Sequence, residues 1–380
     1  HIIFITCKIR LKFTYIVRMV RKIYYQEEKF MLRFENDYLE GCLPGLLDRL
    51  VKTNMEQTAG YRLDEYCDSA TEKIRQACKS NDLDVHYFVG GTQANLTVLS
   101  SIMRPHEGVI SPVLGHVNIH ECGAIEGIGH KVITVSNGDE VLDNEAKLYP
   151  TSLDKYLSNF FGHWDWHRAQ PGAVYISHPT ERGVLYTRQE LIEIKTICDR
   201  FNLPLFVDGA RLSYALASEE NDISLEDLAK YSDVFYIGGT KCGAMFGEAV
   251  CFTNNKYNKG FACLSKSKGA IMAKGRLLGV QFEYLFTDDV YTKSSIEACK
   301  YALEIKEAFL NKNIKFLSNS YTNQQFPILT KEQQKVFDDR GISYTTESYE
   351  EDNSNGLRFC TSWASKREDI DYLLETIASL

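Results

Sequence analysis

From about residue 40 onward the chain alternates short apolar runs with stretches of helical periodicity, and this alternation constrains the fold more than any other feature. Strands joined by crossover helices lie parallel in one sheet, because each helix carries the chain back to the edge where the previous strand began. The runs Val85–Val89, Val109–Val113, Lys131–Val135, Ala173–Ser177, Leu205–Asp208 and Val234–Ile237 are rich in Val, Ile, Phe and Tyr, and Gly, Pro or Asn bounds them. Thr187 with Glu190 forms a capping-box pattern that opens a helix over Arg188–Phe201; Ser224 with Asp227 and Ser365 with Glu368 repeat it. After about residue 285 the texture changes. A helical pattern over Ser294–Leu310 leads to strand candidates at Ile314–Phe316, Gln325–Leu329, Ile342–Thr345 and Leu357–Thr361, then to a last helix. The expectation is an α/β chain with a large domain over 31–285 and a small α+β domain over 286–380.

Charge and cysteine content narrow the partners. A formal net charge of −8 disfavours nucleic acid and acidic membrane surfaces, which reward basic faces. The eleven cysteines form no CxxC pair, and singles such as Cys78, Cys198 and Cys251 sit in apolar or helical segments, consistent with a reducing cytoplasmic compartment. Residues 1–30 carry Lys8, Arg10, Lys12, Arg18, Arg21, Lys22 and Lys29, which interrupt every apolar run before it reaches the ~20 residues of a spanning helix. This stretch is read as a leader, non-native or disordered, with the functional chain opening at Met31; a basic presequence is the alternative.

Four segments carry chemistry. In Leu-Phe-Val-Asp208-Gly-Ala-Arg211 an apolar strand ends in an acid, at the edge of an open sheet where ligands bind; the residue alone could equally cap the next helix. In Val234-Phe-Tyr-Ile-Gly-Gly-Thr240-Lys241 a core strand delivers a lysine. Such an amine either reaches solvent or has a depressed pKa, which a Schiff-base lysine needs in order to react near neutrality. In Gly90-Gly91-Thr92-Gln93 a strand turns through two glycines into a helix start, whose free N–H groups cradle phosphate as readily as they make a tight turn. It is neither a GxGxxG nor a Walker A pattern, which disfavours nucleotides. His116 and His120 have helical spacing, but Glu121 follows the second histidine instead of forming HExxH, so no metal site is assigned. His116 is read instead as a flat ring placed over a flat cofactor.

These segments, in this order, resemble the L-threonine aldolase and aromatic amino acid β-eliminating lyase family of fold-type I pyridoxal-5′-phosphate (PLP) enzymes. The resemblance runs from about Asn36 to the C-terminus through GGTQANL, HVNIHECGA, FVDGARL and GGTK. It implies a mainly parallel, seven-stranded type of sheet and PLP bound to Lys241 as a Schiff base. Asp208 would pair with the pyridine nitrogen and His116 would stack on the ring. Gly91, Thr92, Gln93 and Thr240 would hold the phosphate. Arg211 would lie near the cofactor's phenolic oxygen and the substrate carboxylate, which Arg358, in Gly356-Leu-Arg358-Phe, would grip. The catalytic set is thus Lys241, His116 and Asp208. The substrate implied is a β-hydroxy-α-amino acid cleaved to glycine and an aldehyde; the rival is β-elimination to pyruvate and ammonia. Family members build sites at a dimer interface, which implies a homodimer or homotetramer with shared active sites, and Lys274 and Arg276 would face the other subunit's phosphate. Two stretches depart from the family pattern, Asn36-Asp37-Tyr38 in place of Ser-Asp-Thr and Ser177-His178-Pro-Thr-Glu181 in place of Glu-Asn-Thr-His-Asn. Asn36 and His178 are therefore expected beside the substrate side chain.

Overall fold

The computed structural model describes residues 31–163, 165–349 and 353–380; the stretch read as a leader, 1–30, lies outside them. The first strand, β1 (Leu32–Arg33), is followed by β2 (Asp84–Phe88), β3 (Glu107–Pro112), β4 (Lys131–Val135), β5 (Gln170–Ser177), β6 (Leu205–Asp208), β7 (Val234–Gly238) and β8 (Glu248–Phe252). Strands β2 to β8 form a seven-stranded sheet in the order β2-β8-β7-β6-β5-β3-β4. Only β8 runs antiparallel to its neighbours. The six runs read as strands are six of these seven. The strand β8 was not singled out, and it reverses direction because the short link from β7 contains no crossover helix.

Both faces of the central strands are covered, so β6, β7 and β8 are buried along their whole length and read as continuous apolar runs. Alternate side chains separate the two cores. Val174, Ile176, Val207, Phe235 and Ile237 pack towards the helices Glu65–Ala77, Arg188–Arg200 and Arg276–Leu285, and Tyr175, Phe206, Val234, Tyr236 and Val250 pack towards Gly91–Ile102 and Phe261–Ser267. Reciprocal capping boxes start the helices Arg188–Arg200 (Thr187 with Glu190) and Leu225–Tyr231 (Ser224 with Asp227). The last helix, Arg367–Ala378, begins differently. Lys366 is its N-cap, and the Ser365 hydroxyl accepts the Ser362 N–H at 2.9 Å in the preceding turn.

Beyond the long helix Val290–Leu310 come β9 (Gln324–Gln325), β10 (Ile328–Thr330), β11 (Ile342–Ser343), β12 (Thr345–Tyr349) and β13 (Ser354–Cys360), with antiparallel order β10-β13-β12 and β9 also on β13. The Ile314–Phe316 run forms a single bridge, Phe316 to Pro327, rather than a strand. Strand β1 pairs in parallel with β11, and Leu32 and Phe34 share a core with Ile305, Phe309, Phe337, Leu357 and Phe359. The Cys360 N–H donates to the Phe34 carbonyl at 2.8 Å. These bonds tie the first described residues to the C-terminal elements and aim residues 35–38 at the carboxyl edge of the large sheet.

Candidate active site

Strands β5, β6 and β7 end at Ser177, Asp208 and Gly238, and the helix Gly91–Ile102 starts just after β2, so their functional side chains meet at one sheet edge. Asp208 is buried. Its Oδ1 accepts the Ala210 N–H at 2.9 Å, and its Oδ2 accepts Tyr175 Oη at 2.6 Å and Asn95 Nδ2 at 3.1 Å. Among the described residues no cationic side chain forms an ion pair with it. A buried carboxylate with only neutral donors is suited to a protonated ring nitrogen, which makes this donor set fit pyridoxal phosphate.

Lys241 follows β7 through Gly238 and Gly239. A Cβ at Gly238 would lie 2.4 Å from the Ala210 carbonyl oxygen and one at Gly239 2.6 Å from that of Gly247, so the turn packs backbone against backbone. Burial, reinforced by the Arg211 charge, pushes the Lys241 amine below the usual lysine range, while Asp37, Asp208 and Glu248 oppose the shift. The shift runs towards the neutral form that a Schiff-base lysine needs.

Gly90 is the N-cap of the helix Gly91–Ile102 and brings no capping side chain, so the N–H groups of Gly91, Thr92 and Gln93 are left for a ligand. A Cβ at Gly91 would sit 3.0 Å from Tyr236 Oη, a tight contact with the tyrosine hydroxyl. Thr240 lies beside this cradle in a committed state. Its hydroxyl donates to Glu248 Oε1 at 2.8 Å and accepts the Gly247 N–H at 2.9 Å. Burial pushes the Glu248 carboxyl up to about 8.

His116 opens a short helix on the far side of the edge. Its Nδ1 lies 2.8 Å from Glu121 Oε1, its backbone N–H donates to Glu181 Oε1 at 2.8 Å, and its ring centroid is 5.4 Å from that of His120. Arg211 makes a bidentate pair with Asp37 (Nε to Oδ2 2.7 Å, Nη2 to Oδ1 3.0 Å), and Asn323 Nδ2 adds a bond to Asp37 at 2.9 Å. Burial alone would raise the Asp37 pKa, but Arg211 and Lys241 hold it below the ordinary carboxylate value. Arg358 pairs with Glu347 at 3.1 Å and donates to the Glu35 carbonyl at 3.0 and 3.3 Å. His116, Glu181, Arg211, Lys241, Glu347 and Arg358 all line one cavity of about 440 Å³.

Residues 47–334 match the family model described as beta-eliminating lyase. The chain belongs to that family. It is 30% identical over 269 residues to a low specificity L-threonine aldolase of Pseudomonas sp. (strain NCIMB 10558), covering 70% of this chain and 75% of that one. It is 27% identical over 350 residues to a low specificity L-threonine aldolase of Pseudomonas aeruginosa, covering 91% and 96%. Among solved structures, the Leishmania major threonine aldolase aligns with a TM-score of 0.86 and 38% identity over 91% of this chain and 98% of that one. An aspartate aminotransferase from Thermus thermophilus, 14% identical with a TM-score of 0.66, shares the fold.

In this chain Lys241, His116, Arg211 and Arg358 come together at the cavity, with Asp208 and the Gly91–Gln93 turn at the same sheet edge. Asn36 and His178 do not line it. Asn36 faces a smaller pocket with Ser362 and Asp369, its Oδ1 accepting the Tyr38 N–H at 3.1 Å, and the next residue, Asp37, is the one that meets Arg211. His178 is buried behind the edge, with Nε2 3.1 Å from Asn221 Oδ1 and its ring against Tyr186, while Glu181 takes the place in the cavity wall. Arg276 is held within its own chain, donating to the carbonyls of Thr53 and Glu56 with its guanidinium over the Tyr66 ring. The sequence reading passed over Asp37, Asn95, Tyr175, Glu181, Glu248 and Glu347. The acids among them that stand directly after or within apolar runs, such as Glu248 in Gly-Glu-Ala-Val-Cys-Phe, were the available signal.

His178 has a consequence for acid stability. Burial lowers its pKa from 6.5 to about 4, so the neutral ring is the folded form. The unfolded chain binds the extra proton between those two values. Stability from this site is therefore complete above pH 6.5 and is lost as pH falls towards 4, by about 3 kcal/mol. Urea midpoints from pH 7 to pH 4.5 should show this fall, and His178→Asn should flatten it; equal slopes in both proteins would refute the assignment.

Proposed function

We propose that this beta-eliminating lyase family member is a PLP-dependent carbon–carbon lyase that cleaves L-threonine or L-allo-threonine to glycine and an aldehyde. The observation that carries the reading is the Lys241 amine, lowered by burial and Arg211, opening into one cavity with His116, Arg211 and Arg358. The relatives named above as threonine aldolases support it. When bound, PLP supplies an electron sink for charge developing at the substrate Cα. Lys241 would hold the cofactor covalently, and Asp208 would bind its ring nitrogen. The N–H groups of Gly91, Thr92 and Gln93 would bind the phosphate, with the Thr240 hydroxyl beside them. His116 would cover the ring face.

The chain's own groups then orient the substrate. Arg211, braced by Asp37, and Arg358 would receive the α-carboxylate, which takes the place Glu347 holds on Arg358. His116 would take the β-hydroxyl proton at Nε2, because Nδ1 is committed to Glu121.

Several coarser features complete the reading. Exposed Leu47, Val51 and Met55 recur every fourth residue along and just beyond the helix Pro44–Thr53, and Leu63 is exposed as well, a pattern that supports a homodimer or homotetramer. Free thiols at every cysteine among the described residues support a cytoplasmic setting, and no helix among those residues is long and apolar enough to cross a membrane. The reading keeps a cofactor-binding unit up to 285 and a smaller unit over 286–380, with Leu32–Phe34 packed into the smaller one.

Product analysis of the PLP-loaded protein tests the reaction. Glycine and acetaldehyde from L-threonine and L-allo-threonine are expected. Pyruvate from a β-substituted amino acid, with no glycine from either threonine isomer, would replace the aldolase reading with β-elimination.

A further inference from the structure

Beneath the cavity lies a network of buried and half-buried hydrogen bonds that runs from His116 to Asp208. His116 Nδ1 meets Glu121 Oε1 at 2.8 Å, and the same oxygen accepts Asn95 Nδ2 at 2.7 Å. Asn95 Nδ2 also donates to Asp208 Oδ2 at 3.1 Å, and Tyr175 Oη donates to that oxygen at 2.6 Å. Tyr175 Oη is 3.1 Å from Ser177 Oγ, which donates to Glu181 Oε1 at 2.6 Å. Glu181 Oε1 also accepts the His116 backbone N–H at 2.8 Å; the Tyr175 and Ser177 hydroxyls, each with its one hydrogen given to a carboxylate, share none between them. An amide nitrogen carries two hydrogens, so Asn95 can serve each carboxylate with one.

We propose that Glu121 and Asn95 are positioning residues that fix the tautomer and charge of His116 and link it to the carboxylate assigned to the cofactor's ring nitrogen. A fully buried carboxylate is an acceptor, so it places the His116 proton on Nδ1 and turns the Nε2 lone pair towards the cavity. When Nε2 takes a proton, the imidazolium is balanced by Glu121 without rearrangement. Asn95 prevents the two carboxylates from sharing a proton in place of their partners, since it gives each its own donor. The charged groups facing His116 are Glu121 and His120 from its own segment, Glu181 from the turn after β5, and Lys241, Arg211 and Arg358 from across the cavity. Of these, only Glu121 touches the imidazole ring through a hydrogen bond. The role of His116 as the proton acceptor rests on the cleavage reading above; the tautomer does not.

Two readouts test the proposal. Long-range ¹H–¹⁵N correlation spectra of the PLP-loaded enzyme should show His116 protonated at Nδ1, and Glu121→Leu should move that proton to Nε2. Glu121→Gln keeps an acceptor but removes the charge. It should shift the acid limb of kcat/KM to lower pH by about one unit and lower kcat by about 10- to 100-fold, with KM within about twofold. Glu121→Asp should restore part of the loss, and Asn95→Ala should shift the limb in the same direction if Glu121→Gln does not fold. A wild-type Nε2–H tautomer, or a Glu121→Gln enzyme with lower kcat but an unmoved limb, would overturn it. A correct tautomer in an enzyme that makes no glycine would instead sink the aldolase reading and leave the positioning role standing.

Discussion

Alanine in place of Lys241 is expected to give a folded protein with no visible absorbance from a lysine-linked pyridoxal and with turnover reduced by about 10³-fold or more, the scale of losing a positioned proton-transfer group. The structure separates this from a folding defect. Burial and Arg211 already disfavour the charged amine, so removing it relieves a desolvation cost and breaks no side-chain hydrogen bond that holds the edge together. The Lys241 main-chain carbonyl accepts Tyr214 Oη at 2.8 Å, and alanine keeps that bond. The denaturation midpoint should therefore equal or exceed that of the parent. Absorbance and turnover that survive the substitution would show that another amine binds the cofactor.

Asp37→Ala should have the opposite profile, with a large loss of stability alongside the loss of activity. Asp37 is 1% exposed, and its two oxygens hold Arg211 through Nε and Nη2. Removing the carboxylate leaves a guanidinium buried without a counter-ion and Asn323 Nδ2 without one of its acceptors, which costs about 3–5 kcal/mol. Urea unfolding of the single variant and of Asp37→Leu with Arg211→Met checks the cause. The double variant should recover most of the stability, because it removes both charges, while remaining inactive. A loss below about 1 kcal/mol in the single variant would mean that the pair is solvated and not structural.

These two positions also mark what can and cannot be read from the chain. Lys241 and Asp208 were legible because each stands at the end of an apolar strand, and local composition fixes where such strands end. The Gly90–Gly91 turn was legible for the same reason, since the strand's end, two glycines and a helix start are adjacent in the chain and Gly90 brings no capping side chain. Capping boxes at Thr187 and Ser224 are local too, and both form; at Ser365 a competing turn with Ser362 claims the hydroxyl, and the helix starts later.

The sequence by itself thus determined the alternating α/β pattern, the sheet edge where chemistry collects and the residues that terminate its strands. Tertiary structure alone decided which side chains arrive there from elsewhere. The pairing of β1 with β11 brings residues 35–38 to the sheet edge, where bends at Glu35 and Asp37 and the Asn36 bond to the Tyr38 N–H leave Asp37, and not Asn36, on Arg211. The turn after β5 sends His178 into the interior and Glu181 to the cavity. Asn95 joins Glu121 to Asp208 across three separate elements. No local propensity encodes such contacts. They exist only because burial makes each carboxylate depend on whichever donors the packed elements bring within about 3 Å, and that requirement is met in space, not along the chain.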